Sequence, residues 1–556
     1  MISGKRLLLD VLHQEGIDTI FGNPGTTELP LIDALAVDDR IKYVLGLQEA
    51  TVMGMADGYA QGSGRLSMAS LHAAPGLGNA IGSLHNAAKA SAPVLVTAGQ
   101  QDLSFNFTEP NLWGNLTRIA EPFVKWSYEI QRLADLPRAI HRAAKVALTP
   151  PTGPVFISLP ADLLNESGEV DPGKPTRIGR ATRADHASIL AAAQLLARAQ
   201  APVIVAGDSV AQSGAVAELV ALAEAIGAPV FIEGIPNRTP FPPAHGLFRG
   251  PLVRLSREIR ATMDKHDLIV SIGGDLFTLA MPGDTDPMPD GKAIVHLDDN
   301  PWEIGKNYPA DGAVLGNPKA TLPELLDAVN AAMTEAERAR ARSRLDAETA
   351  LGRAQLDKLT SQARDFEPRQ PVHPLALSYA LATSIPDNTV IVDEGITSAP
   401  GLRRFLKSAD PRSYFGGRGG GIGWGMPAAV GIKLAMPDRP MVAVIGDGSA
   451  MYSVQALYTA AREKLQIVFI IANNQSYRII KQRVYDARGH AAQSGNFVGV
   501  DLTNPSIDHV SIARGFGLEA HKVSGLAEFR AALAAGLALD GPCLIEIDVE
   551  AGYKPL

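Results

Sequence analysis

The chain is 556 residues long, carries a net charge of −8 and has a single cysteine, Cys543. This length suits about three or four domains of roughly 150 residues, and 46% apolar with 20% charged residues is ordinary for a globular protein with a large core. Mild acidity without a long block of either sign argues against a nucleic-acid or anionic-membrane surface as the main partner. A lone cysteine excludes an intramolecular disulfide, a Cys-rich zinc site and an iron–sulfur cluster.

In chain order, MISGKRLLLDVLHQEGI predicts an amphipathic helix rather than a signal peptide, because Asp10, His13 and Glu15 interrupt it. No apolar stretch reaches membrane-spanning length, so the expectation is a cytoplasmic-type protein with no membrane partner. Short β-branched runs then alternate with helical stretches, the pattern of βα units on parallel sheets. The first block predicts strands near 19–21, 43–47, 66–71 and 93–98. Residues 168–185, rich in Pro, Gly and charge, predict a linker. A second block predicts strands near 202–206, 230–232, 268–272 and 293–297, and 334–364 predicts an exposed connecting helix. The third block predicts strands near 390–392, 442–445, 468–472 and 544–547. Three α/β domains are expected, over 1–170, 186–333 and 365–556.

Ligands of parallel α/β sheets bind beyond the carboxyl ends of the strands. In the first block those ends carry Asn23-Pro24-Gly25-Thr26, Gln48-Glu49, His72 and Gln100-Gln101. Taken singly, Glu49 reads as a helix N-terminal acid and His72 as a structural histidine; their shared rim favours a site. In the third block, MVAVIGDGSAMYS predicts a strand, a Gly-Asp-Gly turn and a helix start. The next strand ends in Asn473-Asn474, with Asp447 and Asn474 separated by 27 residues, one crossover. Asp and Asn oxygens beside a backbone carbonyl suit Mg²⁺ or Ca²⁺ shared with phosphate oxygens. The glycines and the helix start at Gly448 suit a diphosphate. The run Gly76–Gly82 has the spacing GxGxxxG and no acidic ribose partner, so it reads as cofactor-facing backbone, not a dinucleotide loop.

GDGSA followed by NN resembles the diphosphate and metal signature of thiamine-diphosphate (ThDP) enzymes, and the resemblance runs from end to end. It implies three doubly wound parallel-sheet domains of the ThDP decarboxylase type: pyrimidine-binding, middle and diphosphate-binding. Within that family FGNPGTTELP, LQEA, ADGYAQ, LHAAPGLGNA, TAGQQ, VKWSYE and IGDGSAMYS resemble the benzoylformate decarboxylases. The resemblance implies ThDP and Mg²⁺ (or Ca²⁺) as cofactors. Glu49 matches the glutamate that bonds the aminopyrimidine, and Ile422 the apolar wedge that holds the cofactor bent. His72 and Thr26 match the pair that positions the substrate carboxylate and relays protons. Asp447, Asn474 and the Ser476 carbonyl match the metal ligands, with Thr397, Ser449, Tyr452 and Tyr477 near the diphosphate. Asn23, Pro24, Gly25, Asn79 and Gly448 complete the expected cofactor contacts.

The implied reaction is decarboxylation of a 2-keto acid to an aldehyde through a C2-ylid and an enamine. The alternative is a carboligase, acetolactate-synthase-like or 2-hydroxyacyl-CoA-lyase-like. Two departures bear on this choice. Ala280 stands about where those decarboxylases carry a middle-domain histidine, and His490 reads either as a solvated loop histidine or as its replacement. Arg478, Lys481, Arg483 and Arg488 add positive charge after NNQSY, either as a solvated basic helix face or as partners for a second anionic group of a substrate. The family also implies active sites at a subunit interface, in a homodimer or homotetramer.

Overall fold

The computed structural model describes residues 1–552; residues 553–556, the end of the expected third domain, lie outside the described residues. It contains three six-stranded sheets and a short two-stranded one. Packing divides the chain into two units. One comprises Met1–Ile178, Ile391–Ser398 and the chain from Gly417 onward, and the other Gly179–Val390 with Ala399–Gly416.

In the first sheet the order is Lys42–Leu45, Thr19–Gly22, Ser67–Leu71, Val94–Gln100, Val155–Pro160 and Ser127–Glu129, all parallel. The inner strands are buried along their length, which is why they read as near-continuous apolar runs rather than alternating ones. Strand order reverses at Thr19–Gly22, so the segments after Thr19–Gly22 and Ser67–Leu71 face one crevice. Strand Val155–Pro160, in neither the expected strands nor the expected helices, sits behind PPTGP and is fixed by pairing with Val94–Gln100.

The middle sheet runs Phe248–Pro251, Val230–Ile232, Pro202–Ala206, Leu268–Ile272, Ala293–Asp298 and Gly312–Leu315. Apolar clusters cover both of its faces. Helix Glu335–Asp365 follows it, started by a reciprocal capping box between Thr334 and Glu337. It buries only Ala341, Gly352 and Ala363, as an exposed connecting helix should. In the third sheet Val390–Glu394, Met441–Gly446, Val468–Asn473, Cys543–Asp548 and Glu519–Val523 are successive neighbours.

The expected linker has no helix or strand over 169–185, but it is tied down. Glu15, expected only as a polar interruption, is buried; its carboxylate meets Arg177 Nη1 and His141 Nδ1 at 2.5 Å each. His141 Nε2 in turn reaches Pro172 O at 2.8 Å.

Two helices of the first unit bring its two sheets together. Helix α1 (Glu49–Ser63) follows strand Lys42–Leu45, and α3 (Gly425–Ala435) precedes strand Met441–Gly446. Helix α2 (Ala73–Lys89) flanks α1. A Cβ on Gly431 would lie 1.9 Å from Met55 O, and one on Gly58 would lie 2.4 Å from Ala428 O. The backbones touch because these positions lack side chains. Buried Asp57 of α1 accepts the Trp424 indole N–H and the Gln61 amide, each at 2.7 Å.

Gly431→Ala should therefore destabilise the protein by about 2–3 kcal/mol, an overpacking cost. Gly78→Ala, a helical site with nothing within 4 Å of the added methyl, should be neutral or stabilising by up to about 1 kcal/mol. Urea denaturation midpoints check both.

Candidate active site

Glu49 is the first residue of α1, its helix opened by Gln48, whose side chain accepts Thr51 N–H at 3.1 Å. The Glu49 carboxylate is buried yet receives only side-chain amides, Asn79 Nδ2 at 3.1 Å and Asn23 Nδ2 at 3.4 Å. Gly76 packs on it; a Cβ there would stand 3.0 Å from Glu49 Oε1. Gly76–Gly82 is thus helical, inside α2, and not a loop. Its glycine leaves room beside the carboxylate.

His72 caps strand Ser67–Leu71 at the crevice. Its Nδ1 lies 2.8 Å from Glu28 Oε2 and 3.1 Å from Thr27 Oγ1. Thr27 gives its own hydroxyl hydrogen to Glu28 Oε1, so the hydrogen between His72 and both partners belongs to Nδ1. Nε2 is left to face other groups. Glu28 also accepts backbone N–H groups of Gly25 at 3.0 Å and Gly99 at 2.8 Å. Thr27, which the sequence motifs did not single out, bonds His72, and Thr26 is exposed at the start of its 3-10 turn. Gly25 is obligatory, since a Cβ would fall 2.1 Å from the His72 ring. Asn23 and Pro24 line the same turn.

The second half of the site caps the third sheet. Asp447 opens a short helix, Asp447–Ala450, and its Oδ2 is buried without a hydrogen-bond partner. Burial raises its carboxyl above the usual range. Asn474 Oδ1 accepts Ser476 N–H at 3.1 Å, and Asn474 Nδ2 reaches Ser398 Oγ at 3.3 Å. Among the described residues no cluster of three His, Cys, Asp or Glu forms a cation cage. A divalent cation here would use Asp447, Asn474 and the Ser476 carbonyl, completed by phosphate oxygens. The orphaned Asp447 oxygen fits that ligand set. Gly448 lies under the Tyr477 ring, where a Cβ would come within 2.5 Å, and Ser449 is buried beside it. Tyr452 is exposed and Thr397 half-buried. Behind Asp447, His509 Nε2 lies 3.3 Å from its carbonyl oxygen, and Glu546 accepts the Asn473 amide at 2.9 Å.

Three non-glycine residues at these loops have positive φ: Ala73 (48°) after His72, Ile396 (43°) before Thr397, and Gln475 (53°) between Asn474 and Ser476. Such strain persists only where the surroundings over-determine the backbone, and it clusters at functional sites.

Arg478 is not an entrance charge: it is 2% exposed, donating to Thr397 O at 3.1 Å and Gly552 O at 2.5 Å. Lys481 pairs with Asp501 and Arg483 with Asp486, while Arg488 is exposed. Ala280 is exposed in an irregular segment, bonding Arg254 O through its backbone. His490 begins the short exposed helix His490–Ser494. Glu28 and Glu394 went unsingled by the sequence reading. The only local hint of Glu28 was its place three residues after Gly25, where a side chain can reach back to a turn's N–H. Glu394 ends strand Val390–Glu394 and is buried; burial pushes its carboxyl up to about 7 against the pull of three backbone donors.

A parallel-sheet α/β enzyme with a carboxylate–amide crevice on one domain and an Asp/Asn anion-and-cation cradle on another is a cofactor enzyme of the diphosphate-binding kind. The models of thiamine pyrophosphate enzymes match all three regions: the N-terminal TPP binding domain over 2–108, the central domain over 189–325 and the C-terminal TPP binding domain over 395–547. The chain belongs to the thiamine-diphosphate enzyme family. It is 34% identical to a benzoylformate decarboxylase of Pseudomonas aeruginosa over 97% of this chain and 98% of that one. It is 29% identical to an acetolactate synthase large subunit of Parasynechococcus marenigrum, covering 99% and 88%. Among solved structures it resembles benzoylformate decarboxylase from Polynucleobacter necessarius (TM-score 0.88) and a 4-hydroxybenzoylformate decarboxylase from Rhodococcus jostii (TM-score 0.86). Each of the two is 30% identical and covered in full along with this chain. No described helix is long and apolar enough to cross a membrane.

Glu28→Ala should strand two buried N–H groups and cost about 2–4 kcal/mol, with turnover falling by about 10²-fold as His72 loses its anchor. Urea denaturation and steady-state kinetics measure the two. Asp447→Asn should lower Mg²⁺ affinity at least about 10-fold while the apo protein keeps its melting temperature, read by metal titration and calorimetry.

Proposed function

We propose that this protein is a Mg²⁺- and ThDP-dependent decarboxylase of a 2-keto acid with a single carboxylate, releasing CO₂ and an aldehyde. The observation that carries this reading is His72, whose Nδ1–H is fixed by Glu28 and Thr27 so that Nε2 is the nitrogen free for proton exchange. An aldehyde can leave only after the carbon that lost CO₂ gains a proton, and His72 is held to manage that proton. When bound, ThDP supplies the electron sink for the departing carboxylate. Glu49 would hold its aminopyrimidine, with Asn23 and Asn79 keeping the carboxylate oriented. Asp447, Asn474 and the Ser476 carbonyl would hold the cation. The backbone at Gly448 with Ser449, Tyr452, Tyr477 and Thr397 would hold the diphosphate, and Ile422 would press on the cofactor's middle. Thr26, exposed at the same turn as Thr27, is left as a carboxylate contact rather than a partner of His72.

The similarity to benzoylformate decarboxylases in sequence and fold supports an aromatic keto acid. The basic segment no longer argues for a second anionic group, because Arg478 is spent on backbone carbonyls and Lys481 and Arg483 have carboxylate partners. A second reading, carboligation, is favoured by one observation: Ala280 offers no proton donor. The similarity to an acetolactate synthase supports it as well. The family resemblance supports a homodimer or homotetramer with shared sites.

Protein loaded with ThDP and Mg²⁺ should convert aromatic 2-keto acids mainly to free aldehydes, read by proton NMR of products with and without an added aldehyde acceptor. Hydroxyketone as the main product would replace this reading with the carboligase. Glu49→Gln should keep ThDP affinity within a few fold, yet lose about 10²–10³-fold in exchange of the bound cofactor's C2 proton, measured by NMR after acid quench.

A further inference from the structure

Ile422 stands in a run of glycines, GGGIGWG, that has no conformational preference of its own. Something else must hold it. Glu394 Oε1 accepts the N–H groups of Gly423 at 2.7 Å and Trp424 at 3.1 Å, and Oε2 accepts Gly425 N–H at 2.9 Å. Trp424 and Gly425 give orphan donors at the start of the eleven-residue helix α3 and Gly423 the donor just before it, and the carboxylate satisfies all three at once. On the other side of Ile422, Asn86 of α2 grips Gly421 twice: Nδ2 donates to its carbonyl at 2.9 Å and Oδ1 accepts its N–H at 3.1 Å. Glu394 and Asn86 are both buried, whereas Ile422 itself is half-buried and free to meet a ligand. The glycines are matched to these clamps. A Cβ on Gly425 would fall 2.9 Å from Glu394 Cβ, and one on Gly419 would fall 2.2 Å from Asn86 Oδ1.

We infer that Glu394, with Asn86, is the positioning residue for Ile422, fixing the flanking backbone so that this side chain is presented in one place. The inference rests on the cofactor reading above. A loop of glycines without the clamps would sample many conformations, and misplacing a positioning group by about 1 Å costs on the order of 10²-fold in rate. The paired strand of evidence is the Asp57–Trp424 bond, which anchors the indole between Glu394's donors to α1.

The test is a double-mutant cycle of Glu394→Ala with Ile422→Ala, read as the C2-proton exchange rate of bound ThDP and as kcat and KM. Glu394→Ala should slow exchange and kcat about 10–100-fold with KM within about two-fold. Adding it to Ile422→Ala should cost little more than the larger single loss. Glu394→Gln, which keeps one acceptor oxygen, should recover part of the exchange rate, and Asn86→Ala should mimic the loss if Glu394→Ala does not fold. Multiplicative losses in the double variant, or normal exchange in Glu394→Ala, would overturn the inference. Failure of the unmutated protein to bind ThDP by calorimetry would instead remove the cofactor reading, and the inference with it.

Discussion

A carboxylate taken out of water must find its hydrogen-bond donors inside the protein, and the loops of this site are wound around that requirement. Glu28 gathers two backbone N–H groups, a threonine hydroxyl and the His72 ring; Glu394 gathers three consecutive N–H groups at a helix start. Neither loop has much regular structure to define it. Each is defined by the charge it encloses. Asp57 does the same on a smaller scale, receiving an indole and an amide between two helices. Glu49 is the contrast: a buried carboxylate held by side-chain amides alone, with a glycine beside it, and so left available to a ligand.

The parallel sheets decide where those carboxylates lie. With both faces covered, the strands run as apolar rods, and polar chemistry is confined to their ends. Reversal of strand order at Thr19–Gly22 opens the crevice in which Gly25, Glu28 and His72 meet. The adjoining central strands Met441–Gly446 and Val468–Asn473 put Asp447 and Asn474 together at the carboxyl ends of the third sheet. Helices α1 and α3 then approach until backbone touches backbone, so the segment bearing Glu49 and the segment following Ile422 belong to one rigid seam.

This division of labour suits a cofactor enzyme. The chain does not need to supply an electron sink; it needs to bind one, hold it in shape and manage protons around it. In the function proposed above, a histidine with a fixed tautomer, an orphaned Asp447 oxygen above a glycine turn and a clamped apolar side chain would meet those three needs with separate devices. Positive φ at Ala73, Ile396 and Gln475 marks where the backbone of these loops is held against its preference.

Much of this was legible without coordinates. The inner strands apart from Val155–Pro160, the linker, the long exposed helix and the pairing of GDGSA with NN follow from periodicity, turn residues and crossover length, all of which are local properties of a chain. Strand Val155–Pro160 escaped because PPTGP before it reads as a turn, and the outer strands Ser127–Glu129, Phe248–Pro251, Gly312–Leu315, Tyr414–Gly416 and Glu519–Val523 escaped because it is sheet pairing that fixes them. The Thr27 contact with His72 escaped because it joins residues 45 positions apart in the chain. Arg478 looked like a surface charge because charge runs usually are; it is buried because Thr397 and Gly552 bring carbonyls to it. Glu394 had no motif at all. The sequence by itself determined the parallel α/β architecture and, through the family resemblance of its motifs, membership of the thiamine-diphosphate enzymes, since both are written in local patterns. Only the tertiary structure decided which carboxylates organise the loops, because a buried charge is defined by donors and burial that come from distant parts of the chain.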